Sequence, residues 1–153
     1  MFKHVLFATD GSALSNDAAK QAIETAKALG AKLTAMHVAH KFHAAFENEG
    51  FRMPKMPELR ERYEEEAGAH ANKILEDIKK TAAAAGVQCF SAVVFGDVPY
   101  LAIIEQAAKS NCDLIVMASH GRRGLQSVLL GSETQQVLTH SKIPVLEIGR
   151  AHV

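Results

Sequence analysis

Five short apolar runs alternate along this chain with segments of helical periodicity, and that alternation leaves few folds open. The runs fall at residues 5–8, 32–39, 88–95, 114–118 and 144–148. Most are continuously apolar rather than every second residue, the pattern of strands covered on both faces. The segments between them read as helices. Ala18, Ala19, Ala22, Ile23, Ala26 and Leu29 form one stripe, with a cap at Ser12 or its neighbours and a stop at Gly30. Leu59, Tyr63, Ala67, Ala71, Ile74, Leu75, Ile78 and Ala82 form a second, over residues 58–85. A third helix runs to about Ser110, with Asp97 as N-cap, Pro99 in its first turn, and Leu101, Ile104 and Ala108 turned inward. A fourth opens on Ser132-Glu133-Thr134-Gln135, a capping-box pattern, and carries Val137 and Leu138. Strict β-α alternation predicts an α/β fold, one parallel sheet with helices on both faces. Ligands of such sheets bind beyond the carboxyl ends of the strands, where strand order reverses. The loops best equipped for this, after the first and fourth strands, are expected side by side. The fifth run, with a leading proline and an internal glutamate, suits a sheet edge.

The 153 residues suggest one domain, 1–153. Lys+Arg and Asp+Glu both number 17, which removes the simplest electrostatic case for nucleic acid or an anionic membrane as partner. Cys89 and Cys112 have neither metal nor disulfide spacing and read as buried free thiols, suited to a reducing compartment. Asp10 interrupts the first apolar run and no cleavage-like site follows, so no signal peptide is read, and no run approaches a membrane span. The expected location is cytoplasmic. Residues 40–57 hold Phe42, Phe46, Phe51, Met53 and Met56 without sustained period. They read as a long connection with a helical turn at 44–47, a surface excursion more readily than a lid.

The most informative stretch is 113–133: a buried strand, then the loop Ser119-His120-Gly121-Arg122-Arg123-Gly124, then a helix start at Gly131-Ser132. Glycine lets the backbone approach a phosphate, arginine adds charge-assisted bonds, and a helix N-terminus offers N–H groups. A tight turn that merely needs glycine fits the residues equally; the strand-end position on an alternating chain favours an anion. The loop is neither a P-loop nor a GxGxxG fingerprint. His37, His40 and His43 run from a strand into a loop and lack partners at ligand spacing, so they are not read as a metal site. His120 is expected to orient its loop. Ser12, Asp10 and His120 lack the G-x-S-x-G elbow of a hydrolytic triad, and no catalytic residue is assigned.

These residues carry a resemblance. V-L-F-A-T-D-G-S at the start, A-M-H-V, D-L-I-V-M-A-S-H-G, L-L-G-S and the closing I-P-V-L-E-I together resemble the universal stress protein family, in its single-domain form. The resemblance implies an open doubly wound sheet of order 3-2-1-4-5, like that of the adenine nucleotide alpha hydrolases. It implies ATP as ligand, with Mg, and at most slow hydrolysis. The family's ATP pattern of glycine, two residues, glycine, nine residues, glycine and Ser or Thr falls on Ala118, Gly121, Gly131 and Ser132. Ala118 replaces the first glycine, and its methyl is expected to face the ribose–phosphate region. By matched position, Ala8, Thr9 and Asp10 would lie near ribose and phosphates, with Asp10 also serving the magnesium. Val38 would meet the adenine edge through its backbone, and Met117 and Ala118 would underlie the nucleoside. Ser119, His120, Gly121, Arg122, Gly131, Ser132 and Glu133 would line the phosphates, chiefly through N–H groups. The resemblance further implies a homodimer through the fifth strand, with Val145, Leu146 and Ile148 at the contact. Some relatives lack the motif, so the alternative is a homodimeric interaction module of the stress response that binds no nucleotide.

Overall fold

The computed structural model describes residues 1–43, 56–119 and 131–149. Nine elements alternate along the chain: β1 (His4–Ala8), α1 (Ala13–Leu29), β2 (Lys32–Ala39), α2 (Met56–Ala84), β3 (Cys89–Phe95), α3 (Pro99–Lys109), β4 (Leu114–Ala118), α4 (Ser132–His140) and β5 (Val145–Ile148). The strands form one sheet in the order β3-β2-β1-β4-β5, and every neighbouring pair is parallel. Strand order reverses between β1 and β4, whose ends are level, Ala8 beside Met117.

Residue alternation divides the core into two. On one face Val5, Phe7, Leu33, Ala35, Leu114, Val116 and Ala118 pack against α1 and α2, through Ala18, Ala22, Ile23, Leu75, Ile78 and Ala82. On the other, Leu6, Met36, Ile115 and Met117 meet Ile103 and Ala107 of α3 and Val137 of α4. The central strands β1, from Val5 on, and β4 are therefore apolar without a break, whereas the edge strands can carry Ser91 and Glu147. β5 takes the edge expected of it, and β3 takes the other.

Helix α1 starts as the sequence suggests. The Ser12 hydroxyl accepts from the Ser15 N–H at 3.2 Å, and Gly30 ends the helix in the left-handed region at φ 64°, where a side chain would be strained. α3 differs from expectation. Its N-cap is Val98, with no side-chain cap, and Asp97 instead takes a 2.7 Å contact from His43. The buried residues of α3 are Ala102, Ile103 and Ala107, while Leu101 and Ala108 are exposed. The run Leu101-Ala102-Ile103-Ile104 is apolar all round, so periodicity cannot choose the phase; packing on β2 and α4 does. In α2 the stripe holds only from Ala71 onward: Leu59 is exposed and Tyr63 half-buried, its hydroxyl donating to the His40 carbonyl at 2.9 Å. Leu138 of α4 is likewise exposed. The turn expected at 44–47 lies outside the described residues.

Both cysteines are free, Cys112 buried and Cys89 only half-buried. Burial pushes the Cys112 thiol up to about 11, so it is unreactive at neutral pH. Among the described residues, no helix is long and apolar enough to cross a membrane.

Candidate functional site

The carboxyl ends of β1 and β4 open into two structured segments. After β1, residues Thr9 to Ser12 form a tight turn built on side-chain bonds. The Thr9 hydroxyl accepts from the Gly11 N–H at 3.1 Å, and Gly11 has φ 79°, which explains glycine there. Asp10 Oδ1 accepts from the Ser12 N–H at 2.9 Å and from the Ser15 hydroxyl at 2.8 Å. The Asp10 carboxylate thus braces the turn against the first residues of α1.

After β4 the chain stays paired for one residue more, Ser119 N–H donating to the Ile148 carbonyl at 2.8 Å. The Ser119 carbonyl then accepts from the Gly131 N–H at 2.6 Å, and the Thr134 hydroxyl donates to the Ala118 carbonyl at 2.9 Å. These two bonds fasten the N-terminus of α4 to the end of β4. Residues 119 and 131 are brought together even though eleven residues separate them.

The expected capping box does not form. Gly131 is the N-cap and makes no side-chain cap, with Ser132 the first helical residue. Glu133 reaches away, Oε2 accepting from the Tyr100 N–H at 2.9 Å. It caps α3, the place the sequence assigned to Asp97. Among the described residues, the N–H groups in the first turn of α4 therefore have no side-chain acceptor of the kind a capping Ser would supply, as at a helix start that receives an anion.

Between the two segments lies an apolar floor. Met117 is buried, and Ala8 and Val38 pack against the same cluster on the α3–α4 face. Backbone parity places the Val38 peptide groups usefully. The Met36 carbonyl faces β1, accepting from Thr9 N–H at 2.9 Å, so Val38, two residues on, faces the same side. Pairing of β1 with β2 has by then ended, at Ala8 and Met36.

Ala118 differs from expectation. It is buried in the opposite cluster, with Val5, Phe7, Ala18 and Val116 under α1. Its methyl belongs to the core rather than facing a ligand, because strand alternation sends Met117 to one face and Ala118 to the other. His120, Gly121 and Arg122 lie outside the described residues.

The family model for the universal stress protein family matches residues 1–148. The chain belongs to the universal stress protein family. Among its relatives is the universal stress protein MJ0531 of Methanocaldococcus jannaschii, 34% identical over 150 residues, covering 98% of this chain and 84% of that one. The solved structure of MJ0577, from the same organism, superposes with a TM-score of 0.80 at 27% identity, covering 100% and 99% of the two chains. A universal stress protein solved in complex with cAMP gives a TM-score of 0.66 at 26% identity, covering 97% of each.

Within this family fold, the structure brings together Ala8, Thr9, Asp10, Val38, Met117, Ser119, Gly131 and Ser132 at one end of the sheet. Sequence reasoning missed Ser15, Thr134 and His37. The His37 imidazole lies against the Thr9 carbonyl at 2.9 Å. Of the other two histidines in that run, His40 gives its carbonyl to Tyr63, and His43 turns outward to Asp97. No pattern in the chain announces these bonds, since each joins residues whose closeness only the sheet order creates.

Proposed function

We propose that this protein binds ATP, with magnesium, in the crevice between the Thr9–Ser12 turn and the N-terminus of α4, and acts as a nucleotide-dependent protein of the stress response. The observation that carries this reading is the Gly131–Ser119 bond. It holds a helix N-terminus, with no side-chain cap of its own, beside the strand-order reversal where such sheets receive ligands. Family membership and a relative that binds an adenine nucleotide, cAMP, support the class of ligand.

The adenine would lie over Ala8, Val38 and Met117, its edge meeting the Val38 backbone. The phosphates would take N–H groups from Gly131, Ser132 and Glu133, where the helix dipole favours negative charge. Ser119, His120, Gly121 and Arg122 would complete the phosphate side, with Ala118 beneath as a spacer in the core. The donor set fits a magnesium held mostly by the nucleotide. Asp10 stands in the turn beside the crevice, and Mg²⁺ needs few carboxylates besides phosphate oxygens. The metal would neutralise phosphate charge. Among the described residues near the crevice none is assigned as a nucleophile, and hydrolysis would be slow at most.

Equilibrium dialysis with ATP and millimolar magnesium tests the reading. Saturable binding, weakened at least tenfold in Gly121→Val, is expected. Absence of binding at millimolar ATP would leave the interaction module as the better reading.

We further propose a homodimer through β5. This edge strand is only four residues long and leaves Leu146 39% exposed, and an apolar open edge favours pairing with a second copy.

A further inference from the structure

The Thr9 carbonyl is the hinge between β1 and the turn that braces the crevice, and its partner is a side chain rather than the sheet. Paired register between β1 and β2 stops at Ala8 and Met36. One residue further, Thr9 still donates its N–H to the Met36 carbonyl at 2.9 Å, and its own carbonyl meets His37 Nδ1 at 2.9 Å. A carbonyl can only accept, so Nδ1 carries the proton. The ring is supported from α2, where His70 stands edge-on with centroids 6.5 Å apart.

The consequence is geometric. The peptide joining Thr9 to Asp10 is trans, as are all peptides among the described residues. In a trans peptide the carbonyl and the following N–H point in opposite directions. With the Thr9 carbonyl held toward β2, the Asp10 N–H points the other way, toward β4 and the crevice. From there the chain enters the turn in which Asp10 Oδ1 gathers the Ser12 N–H and the Ser15 hydroxyl.

We infer that His37 is a positioning residue for the nucleotide site: its Nδ1–H fixes the Thr9–Asp10 peptide plane, and so aims the Asp10 N–H at the crevice. It does not itself touch nucleotide. The inference deepens the ATP reading and rests on it for its functional part, while the peptide-plane part can be read without ligand.

Three forms of the full-length protein test it: wild type, His37→Leu and His37→Asn. Asparagine can place an N–H near the position of Nδ1; leucine cannot. Amide ¹⁵N–¹H spectra without nucleotide are expected to show Asp10, Gly11 and Ser12 displaced in His37→Leu and near wild-type positions in His37→Asn, with β3 and α3 amides unchanged in both. Long-range ¹⁵N spectra of the wild type should show His37 protonated at Nδ1. ATP affinity should fall about three- to tenfold in His37→Leu, the usual worth of one neutral hydrogen bond, and recover in His37→Asn. Unmoved Asp10 to Ser12 amides in His37→Leu, or an Nε2-protonated tautomer, overturn the inference whether or not ATP binds. Wild-type ATP affinity in His37→Leu overturns its functional part. A wild type that binds no ATP overturns the function proposed for the crevice, and the amide shifts still decide the role of His37.

Discussion

At the scale of single residues, Ala118 changes meaning most between sequence and structure. Aligned on the family's glycine pattern it stands where the glycine should be, and on the sequence alone its methyl reads as an obstacle to a nucleotide. In the fold the methyl is buried under α1 among Phe7, Ala18 and Val116. Glycine would give up that packing and add backbone freedom to the unfolded chain. Ala118→Gly is therefore expected to cost about 1 kcal/mol of stability and to leave ATP affinity within about twofold, a change of under 1 kcal/mol. Denaturant unfolding and an ATP titration of the variant check both halves. A marked gain in affinity would mean that the methyl does obstruct the ligand.

At the scale of elements, the helix ends carry the functional argument. α1 is capped by Ser12, as its sequence announces, and the N-cap of α4 is Gly131, which has no side chain to cap with, although its sequence announces a box. The reason is that the helix starts one residue early: Gly131 takes the N-cap position and Ser132 becomes the first helical residue, while Glu133 caps the first turn of α3 through the Tyr100 N–H. Charge at Ser132 separates a phosphate site from an ordinary helix start. Ser132 is exposed in the first turn, so Ser132→Asp places a negative charge where the helix dipole welcomes it, and stability should be unchanged or raised by up to about 1 kcal/mol. Bound phosphates would meet that same charge, and ATP affinity should fall tenfold or more. A stable variant with intact affinity would move the phosphates away from α4.

Elements also show what a sequence can and cannot reveal. Strand number, the parallel sheet and the pairing of the two site loops were legible, because apolar side chains on both faces of β1, β2 and β4 demand cover on both sides and alternation demands parallel crossovers; the sheet order came only with the family resemblance. The phase of α3 was not, since Leu101 to Ile104 offer apolar residues in every direction. The bonds Asp10–Ser15, Glu133–Tyr100, Thr134–Ala118 and His37–Thr9 were not legible either. Each depends on side-chain directions that a linear pattern does not carry.

At the scale of the whole molecule, acid should weaken the fold from the end of the sheet opposite the crevice. Burial, helped by nearby Lys32, holds His4 below its ordinary value near 6.5, and its Nε2 lies 2.7 Å from the Thr34 hydroxyl. The unfolded chain thus binds this proton more readily, and stability falls as pH drops through about 6.5, levelling off below the folded value. Burial raises Asp113, but the His4 and Lys3 N–H groups outweigh it and hold the carboxyl below its usual range. That contribution is present above the unfolded value and is lost at lower pH, as the group titrates in the folded state. Thermal unfolding at about pH 7.5 and 5.5 should show a smaller pH effect in His4→Gln than in wild type; an equal effect would remove His4 as the cause. The dimer proposed through β5 belongs to this scale too. Light scattering should give twice the chain mass for wild type and the chain mass for Leu146→Lys, since charge on an edge strand opposes pairing. A monomeric wild type would sink the proposal.

The central claim is that nucleotide phosphates sit between the Thr9–Ser12 turn and the first turn of α4. An amide ¹⁵N–¹H titration of the wild-type chain with ATP and magnesium tests it most directly. Saturable shifts concentrated at Thr9 to Ser12, Val38, Ser119 and Gly131 to Glu133 are predicted. Saturation that leaves those amides unmoved, or no shifts at all at millimolar ATP, would contradict it.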